Sequence, residues 1–438
     1  MNRSTALLLT LALLLAHVLA IYHDPEGGFG PPCDEAHVAY RIGRNAALEG
    51  DAHFDPAGAR PEMSLALPWR WPSQWAAARG FSPLAASQAL SLLFGLACVT
   101  ALAAFSANRL AGLIAPVLLV LNGALAATCG DGTATTAYAF AVTLAFLCFQ
   151  RRWSLALGIA LGFAACLRDE AVLYLLMLVA LELTRLRGSA PRLRWFLAFG
   201  IPAVVAALLG IARRDAGAGW LSPELAALFE YDRARWSLGA HYLLDHARLS
   251  GLCVLALVPL GLCATGRVTR TGLEALLLAL LGLLLVTAQG GSHRPFGIAL
   301  VPMLPLLCLS IQEGLQGIVD REKRWLEIAL WTLLAVCATW TALPSKLPGD
   351  IALLSTRDAF LRWVRPSAPV EAAWKRMLAR RGLEVELAET RQLRAIGLYL
   401  RDRVPPGTSI LSAWPGAIGY LSRQPVHDLL GRVALASG

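Results

Sequence analysis

The chain has 438 residues, of which 56% are hydrophobic and only 16% are charged. A soluble protein of this length could not bury so many uninterrupted apolar runs, so the composition predicts a polytopic α-helical membrane protein. The formal net charge is +9, but the basic residues cluster in short loops between apolar runs. Membrane topology and anionic lipids explain that pattern, and no nucleic-acid partner is predicted. The nine cysteines include no CxxC pair and are interpreted as small apolar residues.

Apolar runs of spanning length, or nearly so, recur along most of the chain and predict about eleven transmembrane helices. The first run is interpreted as a retained span, although a cleaved signal peptide is the alternative. The runs cover residues 4–21, 87–106, 111–128, 134–149, 154–167, 171–186, 195–212, 249–265, 271–288, 296–312 and 326–343.

The loop charges predict the orientation of these helices. With the N-terminus in the cytoplasm, nearly every short cytoplasmic loop is basic and has few acidic residues, as the positive-inside rule requires. The opposite side then receives the acidic and mixed-charge loops, including a long first loop at residues 22–85. We therefore expect a functional site on the extracytoplasmic face of a cytoplasmic (inner) membrane.

The first loop carries an acidic pair, Asp34-Glu35, at the start of a predicted amphipathic helix over residues 35–49 that includes Arg41. Asp34 is a good helix N-cap, and Glu35 is favoured in a first turn by the helix dipole. The pair could equally supply a general base or a metal ligand that activates an acceptor hydroxyl. Further along the loop, Trp69, Trp71 and Trp75 predict a segment that lies at the membrane interface.

Three shorter turns are predicted on the same face. Arg168-Asp169-Glu170 is either a charged hairpin tip or a phosphate-binding turn, because a guanidinium suits phosphate geometry. The stretch Gly290–Pro295 brings His293 and Arg294 to a glycine-rich turn where they could meet an anion, and its alternative is an ordinary hairpin. Asp131 lies in a third turn, where an aspartate is usually structural.

Beyond residue 344 the chain becomes polar and predicts a small extracytoplasmic α/β tail over residues 344–438. Residues 369–403 are predicted to be helical. Short strands are predicted at residues 408–411 and 419–421. The predicted organisation is therefore a membrane module at residues 1–343 followed by this tail.

The loop motifs resemble those of GT-C membrane glycosyltransferases, and most closely the branch of mycobacterial terminal β-arabinofuranosyltransferases. The first-loop pattern runs from Asp34-Glu35-Ala36 to Asn45 and continues through Glu49-Gly50, Phe54-Asp55-Pro56 and Pro68-Trp69. Leu167–Glu170 is similar to the R-P-[DE] turn of that family, and Gly290–Arg294 with Pro302 and Pro305 is similar to its G-G-D-x-x-x-x-R stretch. Val404–Gly407, Gly416–Tyr420 and Asp428–Gly431 resemble its extracytoplasmic tail, and the resemblance leads us to expect a shortened tail here.

The resemblance implies an all-α GT-C fold, a polyprenyl-phosphate sugar donor and inversion at the anomeric carbon. It implies that Asp34 is the base or a metal-linked carboxylate, with Glu35 as its partner. Arg168 and Glu170 are implied to lie near the donor phosphate. In this chain Glu35 replaces the second aspartate of the family pattern, and Ser292 replaces the acidic residue after Gly-Gly.

The resulting hypothesis is a membrane glycosyltransferase that acts on a glycan, lipid or protein acceptor outside the cytoplasm. Asp34 and Glu35 are the predicted catalytic pair, and Arg168, Arg294 and His293 bind the donor phosphate. Glu170, Asp131 and Arg41 support the site. A divalent cation (Mg²⁺, Mn²⁺ or Ca²⁺) on Asp34 and Glu35 is compatible with this mechanism but is not required. The alternatives are a lipid-linked sugar transporter and an inactive scaffold that retains the fold.

Overall fold

A computed structural model provides the structure of the protein. It describes residues 3–24, 28–30, 33–48, 50, 54, 67–105, 110–185, 192–215, 223–229, 232–249, 252–264, 266, 268–292, 294, 297–319 and 383–429. His293 and the span predicted at residues 326–343 lie outside these residues.

The described residues are mostly helical. The α-helices up to the middle of the chain are α1 (Arg3–Tyr22), α2 (Asp34–Leu48), α3 (Leu67–Ala78), α4 (Pro83–Phe105), α5 (Ile114–Val120), α6 (Gly123–Gly130), α7 (Thr135–Arg151), α8 (Ser154–Leu167) and α9 (Ala171–Arg185). They are followed by α10 (Arg192–Trp195), α11 (Ile201–Asp215), α12 (Pro223–Phe229), α13 (Arg233–Leu249), α14 (Leu252–Ala264), α15 (Arg270–Ala288), α16 (Leu304–Val319), α17 (Leu383–Arg403) and α18 (Pro415–Ser422). Within the described ranges, two pairs of short strands accompany these helices: β1 (His23–Asp24) with β2 (Gly28–Phe29), and β3 (Ile410–Ser412) with β4 (Val426–Asp428).

The first helix shows how the apolar sequence is divided between the protein core and the surrounding lipid. Leu14, Val18 and Ile21 recur at helical spacing on one face of α1 and are buried. Leu9 and Leu19, on the other side, are each 57% exposed. An exposed leucine face is unfavourable in water but favourable in a bilayer, so the helix is suited to a lipid-facing position.

Three helices in the described part of the chain are long and apolar enough to cross a membrane: Pro83–Phe105, Leu193–Ala212 and Arg270–Ala288. The second is continuous because a π-helical turn, Phe196–Gly200, joins α10 to α11. Shorter apolar helices lie at Arg3–Leu19 and Ser154–Leu167. The fold is therefore that of a helical membrane protein. The count of eleven spans stays a prediction.

One predicted span is not a continuous helix. Residues 111–128 were predicted as a single span, but the chain breaks between α5 and α6. Asn122 adopts an extended conformation at this break, and its side chain accepts a hydrogen bond from the backbone of Ala124. This is an N-cap, and it starts a new helix because a buried asparagine satisfies an otherwise unpaired backbone donor.

The first loop contains the predicted amphipathic helix, since α2 matches the expected range to within one residue at each end. Its buried face includes Val38, Ile42 and Arg41. The tryptophan segment forms α3, in which Trp69 is buried while Trp71 and Trp75 are exposed. Their position at a membrane interface stays a prediction.

The described part of the tail contains α17, α18 and a parallel β3–β4 pair in which Ile410 aligns with Val426. The strand predicted at residues 419–421 is wrong, because those residues belong to α18. Pro415 stands in the first turn of that helix, where its fixed φ favours helix initiation. The second strand forms only after α18 has returned the chain, since parallel strands need a crossover connection.

Helix α18 packs against α2 and thereby joins the tail to the first loop. Val38 and Ile42 of α2 form one buried cluster with Ile418 of α18, Val426 of β4 and Phe54. This contact brings the tail next to the start of α2, where the predicted acidic pair lies.

Candidate functional site

Asp131 is the most deeply buried acidic residue of the site, with 1% of its surface exposed. It follows the last residue of α6 in the turn that leads to α7. Its Oδ1 accepts hydrogen bonds from the backbone and the hydroxyl of Thr133, at 2.8 and 2.9 Å. Burial raises the pKa of the Asp131 carboxyl, while the neighbouring Arg294 opposes that rise.

Arg294 lies at the centre of a charged cluster that joins four segments distant in sequence. Its Nη1 donates to Asp131 Oδ2 at 2.8 Å, and its Nε donates to Glu386 Oε1 at 2.9 Å. Glu35 Oε2 lies 3.9 Å from the same Nη1. Only 6% of the Arg294 side chain is exposed, whereas half of the Glu35 side chain is. We call these four residues the Arg294 cluster.

The Arg294 cluster contains three carboxyl groups and one guanidinium. If all three carboxyls were ionised, the local charge would be negative despite the buried arginine. Burial raises the pKa of Glu386, again against the attraction of Arg294. The cluster therefore favours ligands that donate hydrogen bonds over anionic ligands.

A chain of hydrogen bonds connects this cluster to the second predicted arginine. The hydroxyls of Thr133 and Thr135 are 3.0 Å apart, and Arg168 Nη2 donates to Thr135 Oγ1 at 3.3 Å. Thr133 in turn donates to Asp131. Two of the predicted turns and the glycine-rich stretch thus meet in one polar network.

Arg168 occupies the end of this network away from the carboxylate-rich cluster. It adopts an extended conformation directly after α8, so its side chain leaves the helix end. Its guanidinium carbon lies 5.4 Å from the ring centroid of Tyr138, within cation–π range. Nearby, Glu170 Oε1 accepts a hydrogen bond of 3.1 Å from Gln289 Nε2, and this bond links the turn to the end of α15. Of the two arginines in this network, Arg168 is therefore the better placed to bind an anionic group.

Asp34 is held differently from its neighbour Glu35. Its carboxylate accepts hydrogen bonds from the backbone N–H groups of Gly416 and Ala417, at 3.3 and 2.7 Å. These donors belong to the first turn of α18, where backbone N–H groups have no partner within the helix. The Asp34 carboxylate therefore caps α18 and joins the first loop to the tail. Gly416 is required there, because a Cβ at this position would lie 2.1 Å from the Asp34 carbonyl oxygen.

Arg41 is also part of that interface and not of the Arg294 cluster. Its Nη2 donates to the Gln424 carbonyl at 2.9 Å, and its guanidinium carbon lies 4.5 Å from the ring centroid of Phe54. Only 3% of the Arg41 surface is exposed. Its contacts connect α2 to the tail.

The donor set does not fit a divalent cation as the residues stand. No group of three or more His, Cys, Asp or Glu side chains is arranged to hold a metal ion within the described ranges. Arg294 already pairs with Asp131 and Glu386, and the Asp34 carboxylate is hydrogen-bonded to α18. We therefore derive no chemical step through a metal.

Sequence reasoning missed Glu386, Thr133 and Thr135. Glu386 lies in a charged helix with other glutamates nearby, and no local pattern separates it from them. The two threonines flank Ala134 after Asp131. The feature of the sequence that could have indicated them is two hydroxyl residues, two positions apart, at the start of a helix.

No protein-family model and no curated protein matches the sequence significantly. Solved structures with a similar fold were found. ArnT from Cupriavidus metallidurans in its apo state is 16% identical, with a TM-score of 0.51 over 97% of this chain and 86% of that protein. The same protein bound to undecaprenyl phosphate has a TM-score of 0.49.

An archaeal oligosaccharyltransferase from Archaeoglobus fulgidus, AglB, is also similar. A structure of an oligosaccharyltransferase from the same organism in the apo form is 12% identical, with a TM-score of 0.56 over 96% of this chain and 65% of that protein. A structure of AglB in complex with an inhibitory peptide and a dolichol-phosphate has a TM-score of 0.54. This chain thus spans slightly less than two thirds of the archaeal protein. These similarities show a fold shared with ArnT and with the archaeal oligosaccharyltransferase, and they do not distinguish the arabinofuranosyltransferase branch.

Proposed function

We propose that this protein is a membrane glycosyltransferase that moves a sugar from a polyprenyl-phosphate donor to an acceptor hydroxyl outside the cytoplasm, with inversion. The observation that carries the proposal is the polar network of the site, which has Arg168 at one end and the carboxylate-rich Arg294 cluster at the other. The GT-C fold supports this function, and the AglB complex with dolichol-phosphate supports a lipid phosphate as the donor class. Transfer from such a donor needs a cation for the leaving phosphate and a base for the attacking hydroxyl.

The chemical step uses one group from each end of the network. The acceptor oxygen forms a bond to the anomeric carbon and gives its proton to a carboxylate of the acidic pair. The bond between the anomeric carbon and the phosphate oxygen breaks, and its electron pair leaves with the polyprenyl phosphate. Arg168 stabilises the charge on that phosphate.

We propose Glu35 as the residue that takes the proton. Its side chain is half exposed and faces Arg294. Asp34 caps α18 and orients the helix that carries Glu35, so its predicted role as the base stays an alternative within this proposal. Glu170 supports Arg168, and Asp131 connects the two ends.

The remaining assignments follow from the orientation predicted by loop charge. The protein would lie in the cytoplasmic membrane with its N-terminus in the cytoplasm and residues 344–438 outside, beyond a membrane module at residues 1–343. The acceptor would be a glycan, lipid or protein of the cell envelope. Donor-phosphate binding by Arg294 and His293, and a divalent cation at Asp34 and Glu35, are the less favoured alternatives within this proposal, because Arg294 is paired with carboxylates and Asp34 caps α18.

The test is transfer of radiolabelled sugar from a panel of undecaprenyl-phosphate sugars by purified protein in lipid nanodiscs. We expect Glu35→Gln to lower turnover at least about a hundredfold, the lower end of the range for a general base. Arg168→Gln should weaken both donor affinity and turnover. The matched Asp34→Asn variant, which keeps one cap acceptor, should retain most of the activity.

The outcomes separate the hypotheses. Full activity in Glu35→Gln with loss in Asp34→Asn would assign the base to Asp34. Lipid-linked sugar that crosses liposome membranes without bond cleavage would indicate a transporter. Donor binding without turnover of any sugar in the panel would indicate an inactive scaffold. Retained activity in all three variants would remove the proposed site.

A further inference from the structure

Glu386 is contributed to the site by the tail. It lies in the first turn of α17, far from the other members of the Arg294 cluster in sequence. Its Oε1 accepts the hydrogen bond from Arg294 Nε, and 17% of its side chain is exposed. The cluster is therefore incomplete without the tail.

The second oxygen of Glu386 distinguishes it from its neighbours. Oε2 is buried and has no hydrogen-bond partner among the residues that the structure describes. Both Asp131 oxygens, by contrast, accept hydrogen bonds. A buried carboxylate oxygen without a donor is costly, and such an atom in a native protein indicates a missing ligand or proton.

The surrounding charge defines what kind of group can supply the missing hydrogen bond. Glu35 and Asp131 face the guanidinium of Arg294, which also pairs with Glu386. A phosphate or carboxylate ligand would be repelled by this set, whereas a hydroxyl would be attracted as a donor. The donor phosphate is better accommodated by Arg168, at the other end of the network.

We infer that Glu386 is an acceptor-binding residue, whose Oε2 accepts a hydrogen bond from a hydroxyl of a neutral, hydroxyl-rich acceptor such as a glycan. This inference rests on the proposed function and extends it to the acceptor class. Glu386 keeps its own protonation state during transfer, since Glu35 takes the proton. The first loop supplies the base, and the tail positions the acceptor.

The experiment compares transfer to acceptor with transfer to water in the full-length protein in nanodiscs. The probes are the undecaprenyl-phosphate sugar that the wild type uses best and a neutral octyl glycoside. Glu386→Gln should raise the KM for the octyl glycoside about tenfold, the effect of one hydrogen bond to a charged group. Donor hydrolysis and the KM for the donor should change less than about twofold. Glu386→Asp should restore part of the acceptor affinity.

Glu389→Gln is the matched control, because Glu389 is an exposed glutamate one turn further along the same helix. It should leave both reactions unchanged. Equal loss of transfer and hydrolysis in Glu386→Gln, with a lower thermal midpoint, would show a structural role and overturn the inference. An unchanged acceptor KM would overturn it while leaving the proposed function intact. A wild type that neither transfers nor hydrolyses any donor would refute the proposed function and the inference together.

Discussion

At the scale of single residues, the site depends on one buried guanidinium, that of Arg294, which pairs with the carboxyls of Asp131 and Glu386. Arg294, Asp131 and Glu386 are held by hydrogen bonds of 2.8 and 2.9 Å. A buried ion pair adds little net stability, but removing one partner leaves an uncompensated charge. The arrangement is therefore better explained as a means of fixing three distant segments in one geometry than as a source of stability.

Arg294→Gln should lower the free energy of unfolding by about 3–5 kcal/mol, because Asp131 and Glu386 would lose their counter-charge. Denaturation of the purified protein in detergent, followed by tryptophan fluorescence, would measure the loss. Arg401→Gln is the control, since that arginine is exposed and pairs with an exposed aspartate, and it should change little. A loss of less than about 1 kcal/mol in Arg294→Gln would show that the charged pairs are not formed.

The buried imidazole of His37 should make the folded protein less stable in acid. It is fully buried in α2, its Nδ1 lies 2.9 Å from the Cys33 carbonyl, and burial lowers its pKa to about 4. Because the unfolded chain takes up this proton at a higher pH than the folded one, stability falls as the pH drops from 6.5 towards 4. The largest loss is about 3 kcal/mol.

His37→Asn should remove that step, because the asparagine amide can donate to the same carbonyl without titrating. Thermal midpoints of both proteins between pH 4 and pH 7.5 would measure the difference. Parallel curves for the two proteins would contradict a buried neutral His37. The pKa of Asp131 and that of Glu386 are both raised, and their contribution to stability is lost as the pH rises. Their effect is therefore opposite in sign and is shared by both proteins.

At the scale of secondary-structure elements, the contact between α2 and α18 determines where the tail lies. Asp34 accepts from the first backbone donors of α18, and Arg44 donates to the Tyr420 carbonyl at 2.7 Å. Apolar residues of both helices fill the space between these polar contacts. The same contact positions α17, which contributes Glu386.

Asp34→Ala should loosen α18, because the backbone donors of Gly416 and Ala417 would lose their acceptor. The expected cost is about 1 kcal/mol, as for other helix caps. A loss of about 1 kcal/mol changes an equilibrium constant about fivefold, so the backbone hydrogen exchange of residues 415–422 should accelerate about fivefold. Asp34→Asn keeps a carbonyl oxygen and should show a smaller change, and equal exchange rates in Asp34→Ala and wild type would contradict the cap.

The elements that were predicted well are those whose structure is determined by residues close together in sequence. An alternating apolar and polar face was sufficient for α2, and the acidic pair was correctly expected at its start. The break at Asn122 was missed because an asparagine in an apolar run does not reveal whether it caps a helix. The wrong strand at residues 419–421 had a similar origin, since short apolar segments fit either a strand or a buried helix.

Residues of the candidate site could be proposed from the sequence only where loops carry recognisable residues. Asp131, Arg168 and Arg294 were chosen for their turns, and their hydrogen-bonded connection through two threonines depends on tertiary packing. Glu386 could not have been selected, because its environment is created by a segment about 90 residues away in sequence. Residues that act through long-range contacts leave no local pattern.

At the scale of the whole molecule, two polar layers lie at opposite ends of α7. At its start, Thr135 belongs to the network of the proposed site. At its end, Gln150 joins Arg185 and Glu274 in a second buried network. The helix rise places these layers about 22 Å apart. The intervening helix is apolar and largely buried, as expected for a segment that crosses most of a bilayer.

Cysteine labelling near each of the two layers tests directly the predicted orientation of the protein in the membrane. Ser82 precedes α4 and should be outside, and Trp153 follows α7 and should be cytoplasmic, because the loop there carries Arg151 and Arg152. Single Ser82→Cys and Trp153→Cys substitutions in a cysteine-free variant can be labelled with a membrane-impermeant maleimide. Both positions are exposed. We expect Ser82→Cys to react in intact cells and Trp153→Cys to react only after permeabilisation.

The cysteine-free parent should stay unlabelled in both conditions, and its transfer activity should match the wild type. The reverse labelling pattern would place the Arg294 cluster on the cytoplasmic side and contradict an extracytoplasmic acceptor. Labelling of both positions in intact cells would mean that α4 and α7 do not separate the two layers across a bilayer. Only the expected pattern agrees with both the orientation predicted from the loop charges and an extracytoplasmic site, because it puts the carboxylates on the face that lacks the basic loops.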